Sequence, residues 1–126
     1  MKPGPLTPNE LETAILERLA SKTEALRPLI GRLHVLSRKF TGVGSFTDFW
    51  ADPSLLDPAL ANRQLHLDGL IAVPHVPNGM GSVLFCTEGH PAMLEMYTYG
   101  NDHWDGTFAG FSIEKQDDHK ELGIWR

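Results

Sequence analysis

Residues 93–100 read MLEMYTYG, and this stretch decides the fold. Apolar and polar side chains alternate along it, which is typical of a β-strand with one buried face. Leu94, Met96 and Thr98 are predicted to face the core. The stretch lies within residues 64–114, which contain no Lys or Arg and in which glycine-bearing turns separate the apolar runs. This pattern predicts consecutive antiparallel strands joined by hairpins.

Further strands are predicted on both sides of this stretch. Gly42, Gly79 and Gly89 supply the positive φ that tight hairpins require. Residues 52–63 contain two prolines and predict a connection with one or two helical turns, and residues 101–106 predict a loop. The complete set of predicted strands covers residues 32–40, 43–50, 66–74, 80–87, 91–99 and 107–114.

An amphipathic helix is predicted before the sheet, over residues 8–22. Thr7 is the predicted N-cap, Pro8 the first helical residue, and Glu10 completes a capping box. The polar side of the helix, Glu12 included, is predicted to face solvent. The apolar stripe consists of residues spaced four apart: Leu11, Ile15 and Leu19. The sequence therefore predicts a single α+β domain over residues 1–126, with an N-terminal helix packed on an antiparallel sheet of about six strands.

Composition narrows the functional class. The 126 residues carry a formal net charge of −5, and residues 64–126 contain three Lys or Arg against nine Asp or Glu. Such a surface repels a phosphate backbone, so nucleic-acid binding is not predicted. The apolar runs are far shorter than the about 20 residues of a membrane span. The start of the chain does not resemble a secretory signal.

Cys86 is the single cysteine. It excludes an intramolecular disulfide and is predicted to be buried and structural, which favours a reducing, cytoplasmic location. His66 with Asp68, and His103 with Asp105, could supply four metal ligands, but their spacing is generic. Surface or hydrogen-bonded histidines are the favoured interpretation, and no metal or cofactor is predicted.

Two runs of alternating side chains form the candidate site. Glu95, Tyr97 and Tyr99 share one face of their strand, because successive side chains point to opposite faces. Residues 43–50 place an aromatic and acidic set on one face in the same way: Phe46, Asp48 and Trp50. The candidate ligand-binding residues are Phe46, Trp50, Glu95, Tyr97 and Tyr99.

Two interpretations of these residues stay open. Ordinary cross-strand packing on a half-exposed sheet face explains them without any ligand. If the face instead lines a concavity, Glu95 could act as a general base beside Tyr97 and Tyr99, or the aromatic side chains could hold a small polar or cationic ligand.

Four motifs carry a resemblance: residues 40–46, FTGVGSF; residues 67–72, LDGLIA; residues 79–85, GMGSVLF; and residues 94–100, LEMYTYG. With these motifs the chain resembles a family of small, stand-alone bacterial proteins for which no activity, cofactor or catalytic residue is established. The resemblance covers residues 33–100. It implies a bacterial cytosolic origin and directs attention to Glu95, Tyr97 and Tyr99.

The leading hypothesis is a non-enzymatic bacterial binding or protein-interaction module, in one version an immunity-type protein whose acidic face masks a basic toxin. Its partner would be a protein or a small molecule. The alternative is a small metal-independent enzyme with Glu95 as general base in a tyrosine-lined pocket. Homodimer formation through an edge strand, or through the tail of residues 115–126 with Trp125, is a further expectation.

Overall fold

The computed structural model describes residues 6–50 and 52–115. Within these residues the chain forms one α-helix (α1, Glu10–Ala20), a 3-10 helix (Glu24–Arg32), three short 3-10 turns and seven strands. The strands are β1 (Val35–Phe40), β2 (Gly44–Phe49), β3 (Asn62–His66), β4 (Leu70–Ala72), β5 (Met80–Thr87), β6 (His90–Thr98) and β7 (Ser112–Glu114).

A single sheet contains all seven strands, in the order β1-β2-β6-β5-β4-β7. β3 lies outside this path and pairs with β5, so β3 and β4 occupy successive parts of the same edge of β5. Every pair is antiparallel. The predicted α+β fold, with a helix packed on an antiparallel sheet, is confirmed.

Glycine-bearing turns place the strongest strands where the sequence predicts them. β5 has the predicted bounds, and β6 begins and ends one residue earlier than predicted. The turn between them uses positive φ at Glu88 and Gly89. In this part of the chain the alternation of apolar residues and the turn residues predict the same strand ends. The sequence therefore predicts the bounds of β5 and β6 to within one residue.

The strand predicted over residues 66–74 is wrong in its bounds. β3 begins at Asn62, inside the predicted connection, and Gly69 lies in a break before β4. A Cβ at Gly69 would lie 2.9 Å from the carbonyl oxygen of Glu114, so this glycine lets β7 approach closely. The need for glycine at this position comes from β7, which is distant in sequence, so the alternation of nearby side chains does not predict it.

The N-terminus of α1 also differs from its prediction. Asn9, not Thr7, is the N-cap: its Oδ1 accepts the Glu12 N–H at 2.8 Å, and Glu12 Oε1 accepts the Asn9 N–H at 2.9 Å. The capping box therefore spans Asn9 and Glu12, two residues later than predicted. Both boxes have favourable residue types, and the later one prevails because Glu12 has further partners on the sheet.

Glu12 is completely buried, which corrects its predicted place on the solvent side of the helix. Arg38 of β1 donates to it through Nε and Nη2 at 2.8 and 2.7 Å, and the Thr47 hydroxyl of β2 donates at 2.7 Å. This buried ion pair ties the first turn of α1 to the edge of the sheet. Around it the predicted stripe Leu11, Ile15 and Leu19 is buried against the core side of the strands.

Cys86 is confirmed as buried, with 2% of its surface exposed. Burial raises the pKa of its thiol to about 11, so the thiol stays protonated at neutral pH. No helix within the described ranges is both long and apolar enough to cross a bilayer. Trp125 and the rest of the predicted tail beyond residue 115 lie outside the described residues.

Candidate functional site

The candidate site lies on the sheet face that points away from α1, called here the Glu95 face. Leu94, Met96 and Thr98 are buried on the α1 side, as predicted, so the alternate residues of β6 occupy the other side. Residues directly opposite each other on neighbouring strands point to the same side. The Glu95 face therefore consists of Phe46 and Asp48 of β2, Gly81, Val83 and Phe85 of β5, Met93, Glu95 and Tyr97 of β6, and Tyr99, which follows β6.

Glu95 lies in the middle of a row that crosses five strands. It pairs with Phe46 on one side and Val83 on the other; Phe46 pairs in turn with Lys39 of β1, and Val83 with His66 of β3. Glu95 and Phe46 are partly exposed, and Val83 is buried. The row thus sets one partly exposed carboxylate between two apolar side chains.

A second row runs beside the first and is mainly apolar. Met93 pairs with Asp48 of β2 and Phe85 of β5, and the Asp48 carboxylate accepts the Ser37 hydroxyl at 2.9 Å. Met93, Val83 and Phe85 belong to this face but are not among the candidate site residues predicted from the sequence. Side-chain alternation along the strand indicates two of them, since Val83 and Phe85 alternate with core residues by the period of two.

The third row places Tyr97 between two glycines, Gly44 of β2 and Gly81 of β5. A Cβ at Gly81 would lie 2.6 Å from the hydroxyl oxygens of both Tyr97 and Tyr99. The two rings meet edge to face, with centroids 5.6 Å apart. Gly81 therefore provides the space in which the two tyrosine hydroxyls converge.

Burial raises the pKa of Tyr97 to about 12, and a hydrogen bond with Tyr99 and the charge of Glu95 act in the same direction. The Tyr97 hydroxyl is consequently a hydrogen-bond donor at neutral pH and not a base. The Glu95 face thus offers a carboxylate acceptor, a phenol donor and aromatic surface within neighbouring rows.

Trp50 does not join the other four predicted site residues. It follows the end of β2, beyond the pair of Asp48 with Met93, whereas Gly44 at the other end of β2 pairs with Tyr97. Its ring packs edge-on against His34, with centroids 6.2 Å apart, and borders a narrow cavity that Leu29 and His90 also line. The structure brings together Phe46, Glu95, Tyr97 and Tyr99.

The histidine and carboxylate pairs considered as metal ligands line separate cavities. His66 and Asp68 border one beside Lys22, and His103 and Asp105 border another beside Trp104. Within residues 6–50 and 52–115, no group of three or more His, Cys, Asp or Glu side chains is placed to hold a metal ion.

The tyrosine pair gives a direct prediction, because the chain contains only two tyrosines. Tyr99→Phe should lower the pKa of Tyr97 from about 12 toward its ordinary value of 10, because it removes one hydrogen-bond partner and leaves burial as the main cause of the shift. Ultraviolet titration of the variant follows Tyr97 alone. Asp105→Asn, which changes a carboxylate elsewhere, is the control and should leave the titration unchanged. An unaltered Tyr97 pKa in Tyr99→Phe would contradict the hydroxyl contact.

Searches against protein families, curated proteins and solved structures found no match to this chain. The resemblance to small bacterial proteins therefore stays a prediction, and the function is argued from the geometry of the chain itself.

Proposed function

We propose that this protein is a non-enzymatic binding module that recognises a protein partner through the Glu95 face. The observation that carries the proposal is the position of Glu95, a single carboxylate between Phe46 and Val83 in a row of paired side chains. Strongly contributing residues of protein interfaces are enriched in Trp, Tyr and Arg and lie near the centre of the contact. The Glu95 face supplies Tyr97, and its Glu95 carboxylate is the complement of an Arg on the partner.

The chemistry of the face favours a partner with a basic side chain. An Arg or Lys docked at Glu95 would pair with the carboxylate and pack its alkyl stem on Phe46 and Met93, with Tyr97 beside it. The formal net charge of −5 adds long-range attraction for a basic partner. A basic bacterial protein, such as the toxin of an immunity-type pair, fits this description.

Site-specific photo-crosslinking in a lysate of the source organism tests the proposal. A photoreactive amino acid at position 46 should give a discrete protein adduct, because Phe46 borders Glu95. The same amino acid at position 56 is the matched control, since Leu56 is an exposed leucine, 52% accessible, that lies beside the β5–β6 turn at Gly89 and outside the paired rows. Glu95→Arg in the position-46 protein should abolish the adduct, and added salt should weaken it.

Two results would overturn this function. One is equal crosslinking from positions 46 and 56, which would indicate non-specific contact. The other is an adduct from position 46 that Glu95→Arg leaves intact, which would remove Glu95 from the recognition surface.

A further inference from the structure

A cavity of about 190 Å³ lies between the C-terminal half of α1 and β3. Its lining comes from two elements and the residues that follow them: Arg18, Leu19, Lys22, Thr23, Arg63, Gln64, Leu65, His66 and Asp68. Gln64 and His66 of this lining pair with Phe85 and Val83, so the cavity lies at the β3 border of the Glu95 face, two strands away from Glu95.

Cationic side chains outnumber the carboxylate among the charged residues of this lining. Arg18, Lys22 and Arg63 carry three positive charges, and Asp68 is the only carboxylate that residues 6–50 and 52–115 contribute to the lining. Lys22 forms an ion pair with Asp68, and Arg18 Nη2 donates to the Asp68 carbonyl oxygen at 2.9 Å. A chain with a formal net charge of −5 therefore concentrates an excess of positive charge at one small concavity.

The edge of β3 adds backbone donors. The Leu67 N–H donates to the Ser82 oxygen of the neighbouring strand at 2.9 Å. In an antiparallel strand the N–H and C=O groups of one residue point to the same side, and the side alternates from residue to residue, so both groups of Gln64 and of His66 point away from β5. β3 pairs with β5 and with no other strand of residues 6–50 and 52–115. Both residues line the cavity, so the β3 edge beside it carries two N–H donors for an anion together with two carbonyl oxygens, which the anion must avoid.

From this geometry we infer that the cavity binds a phosphate-type dianion, either free phosphate or the phosphomonoester of a small molecule. Guanidinium and ammonium groups with backbone N–H donors are the recurring recognition elements for such an anion. At about 190 Å³ the cavity has room for one such group and a few further atoms. The Asp68 carboxylate already engages Lys22 and competes with the ligand for it.

Nitrogen-15 NMR titration tests this inference on the full chain, with sodium phosphate as the probe and sodium chloride at the same ionic strength as the reference. Phosphate should give saturable shifts of the Gln64 and His66 amides, and chloride should not. Glycerol 1-phosphate distinguishes the two sources: tighter binding than phosphate identifies a phosphomonoester, and weaker binding identifies free phosphate. Identical, non-saturating shifts with phosphate and chloride would overturn the site.

Charge-matched variants sharpen the test. Arg63→Gln should weaken phosphate binding about tenfold, because a charge-assisted hydrogen bond is lost. Arg27→Gln removes the same charge from a side chain that pairs with Glu24 and lines a different cavity, so it should leave the affinity unchanged. Asp68→Asn should tighten binding by removing the competing carboxylate.

Equal weakening in Arg63→Gln and Arg27→Gln would overturn the inference, since it would mean diffuse attraction in place of a site. A short DNA duplex that binds more tightly than phosphate, with the same dependence on Arg63, would overturn the assignment to a small molecule.

Discussion

Arg38→Met is expected to lower the free energy of unfolding by about 3–5 kcal/mol at neutral pH. The Glu12 carboxylate is completely buried and accepts two hydrogen bonds from the Arg38 guanidinium. Methionine retains an unbranched apolar stem but donates nothing, so a charge stays buried with only the Thr47 hydroxyl and the Asn9 N–H as partners. Urea unfolding at pH 7 measures the loss.

The opposite variant should cost less. In Glu12→Gln the group left without its partner is Arg38, whose side chain is 23% exposed and can turn toward water. We expect a loss of about 1–3 kcal/mol for Glu12→Gln. Arg27→Met serves as the control, since it removes an exposed arginine that pairs with Glu24 and makes one long hydrogen bond, at 3.4 Å, to the Ala20 carbonyl oxygen, and it should change stability by less than about 1 kcal/mol. Equal losses in Arg38→Met and Arg27→Met would contradict the account of the buried pair.

The dependence on pH gives an independent check. Burial acts to raise the pKa of Glu12, but hydrogen bonds from Arg38, Asn9 and Thr47 outweigh it, and the pKa lies below its ordinary value of 4.5. The stabilisation from ionised Glu12 is therefore fully present above pH 4.5 and is lost as the pH falls through the folded-state pKa. Without Arg38 the buried carboxyl protonates more readily. The difference in free energy of unfolding between wild type and Arg38→Met should therefore become smaller as the pH falls.

Glu12 also shows why part of the structure could not be predicted from the sequence. Its place among the polar residues of α1 indicates solvent exposure, and its cation lies 26 residues away on another element. The fold class and the faces of β6 depend on local alternation, which the sequence carries directly. Burial of a charged residue depends on a partner from a distant strand, and the local sequence pattern does not predict that partner.

The candidate site, too, is in part predicted by the sequence and in part not. Glu95 and Tyr97 were placed together correctly because they are two residues apart on one strand, and Phe46 joins them through strand pairing. Trp50 was grouped with Phe46 by the same alternation, yet the rule applies only within a strand and β2 ends at Phe49. The convergence of Tyr97 and Tyr99 over Gly81 required knowledge of strand order and register.

The register also makes Gly44 a position where a single methyl group should be severely destabilising. A Cβ at Gly44 would lie 2.1 Å from the carbonyl oxygen of Met96 and 3.2 Å from the Cα of Tyr97. Both atoms belong to the backbone of the adjacent β6, so no side-chain rotation can relieve the clash. Gly44→Ala should therefore force β2 away from β6 and lower the free energy of unfolding by about 3 kcal/mol.

Gly31→Ala is the matched control, because a Cβ at Gly31 meets no atom within 4 Å and the residue lies in a helical segment. It should leave stability unchanged or raise it by up to about 1 kcal/mol. Urea unfolding compares the two variants, and ultraviolet titration of Gly44→Ala at low denaturant reports on Tyr97, which pairs with Gly44. Separation of the strands exposes that ring, so the pKa of Tyr97 should fall below about 12.

A Gly44→Ala protein as stable as Gly31→Ala, with Tyr97 titrating as in wild type, would show that β2 and β6 are not paired in this register. The Glu95 face, which depends on that register to place Phe46 beside Glu95, would then have to be abandoned with it.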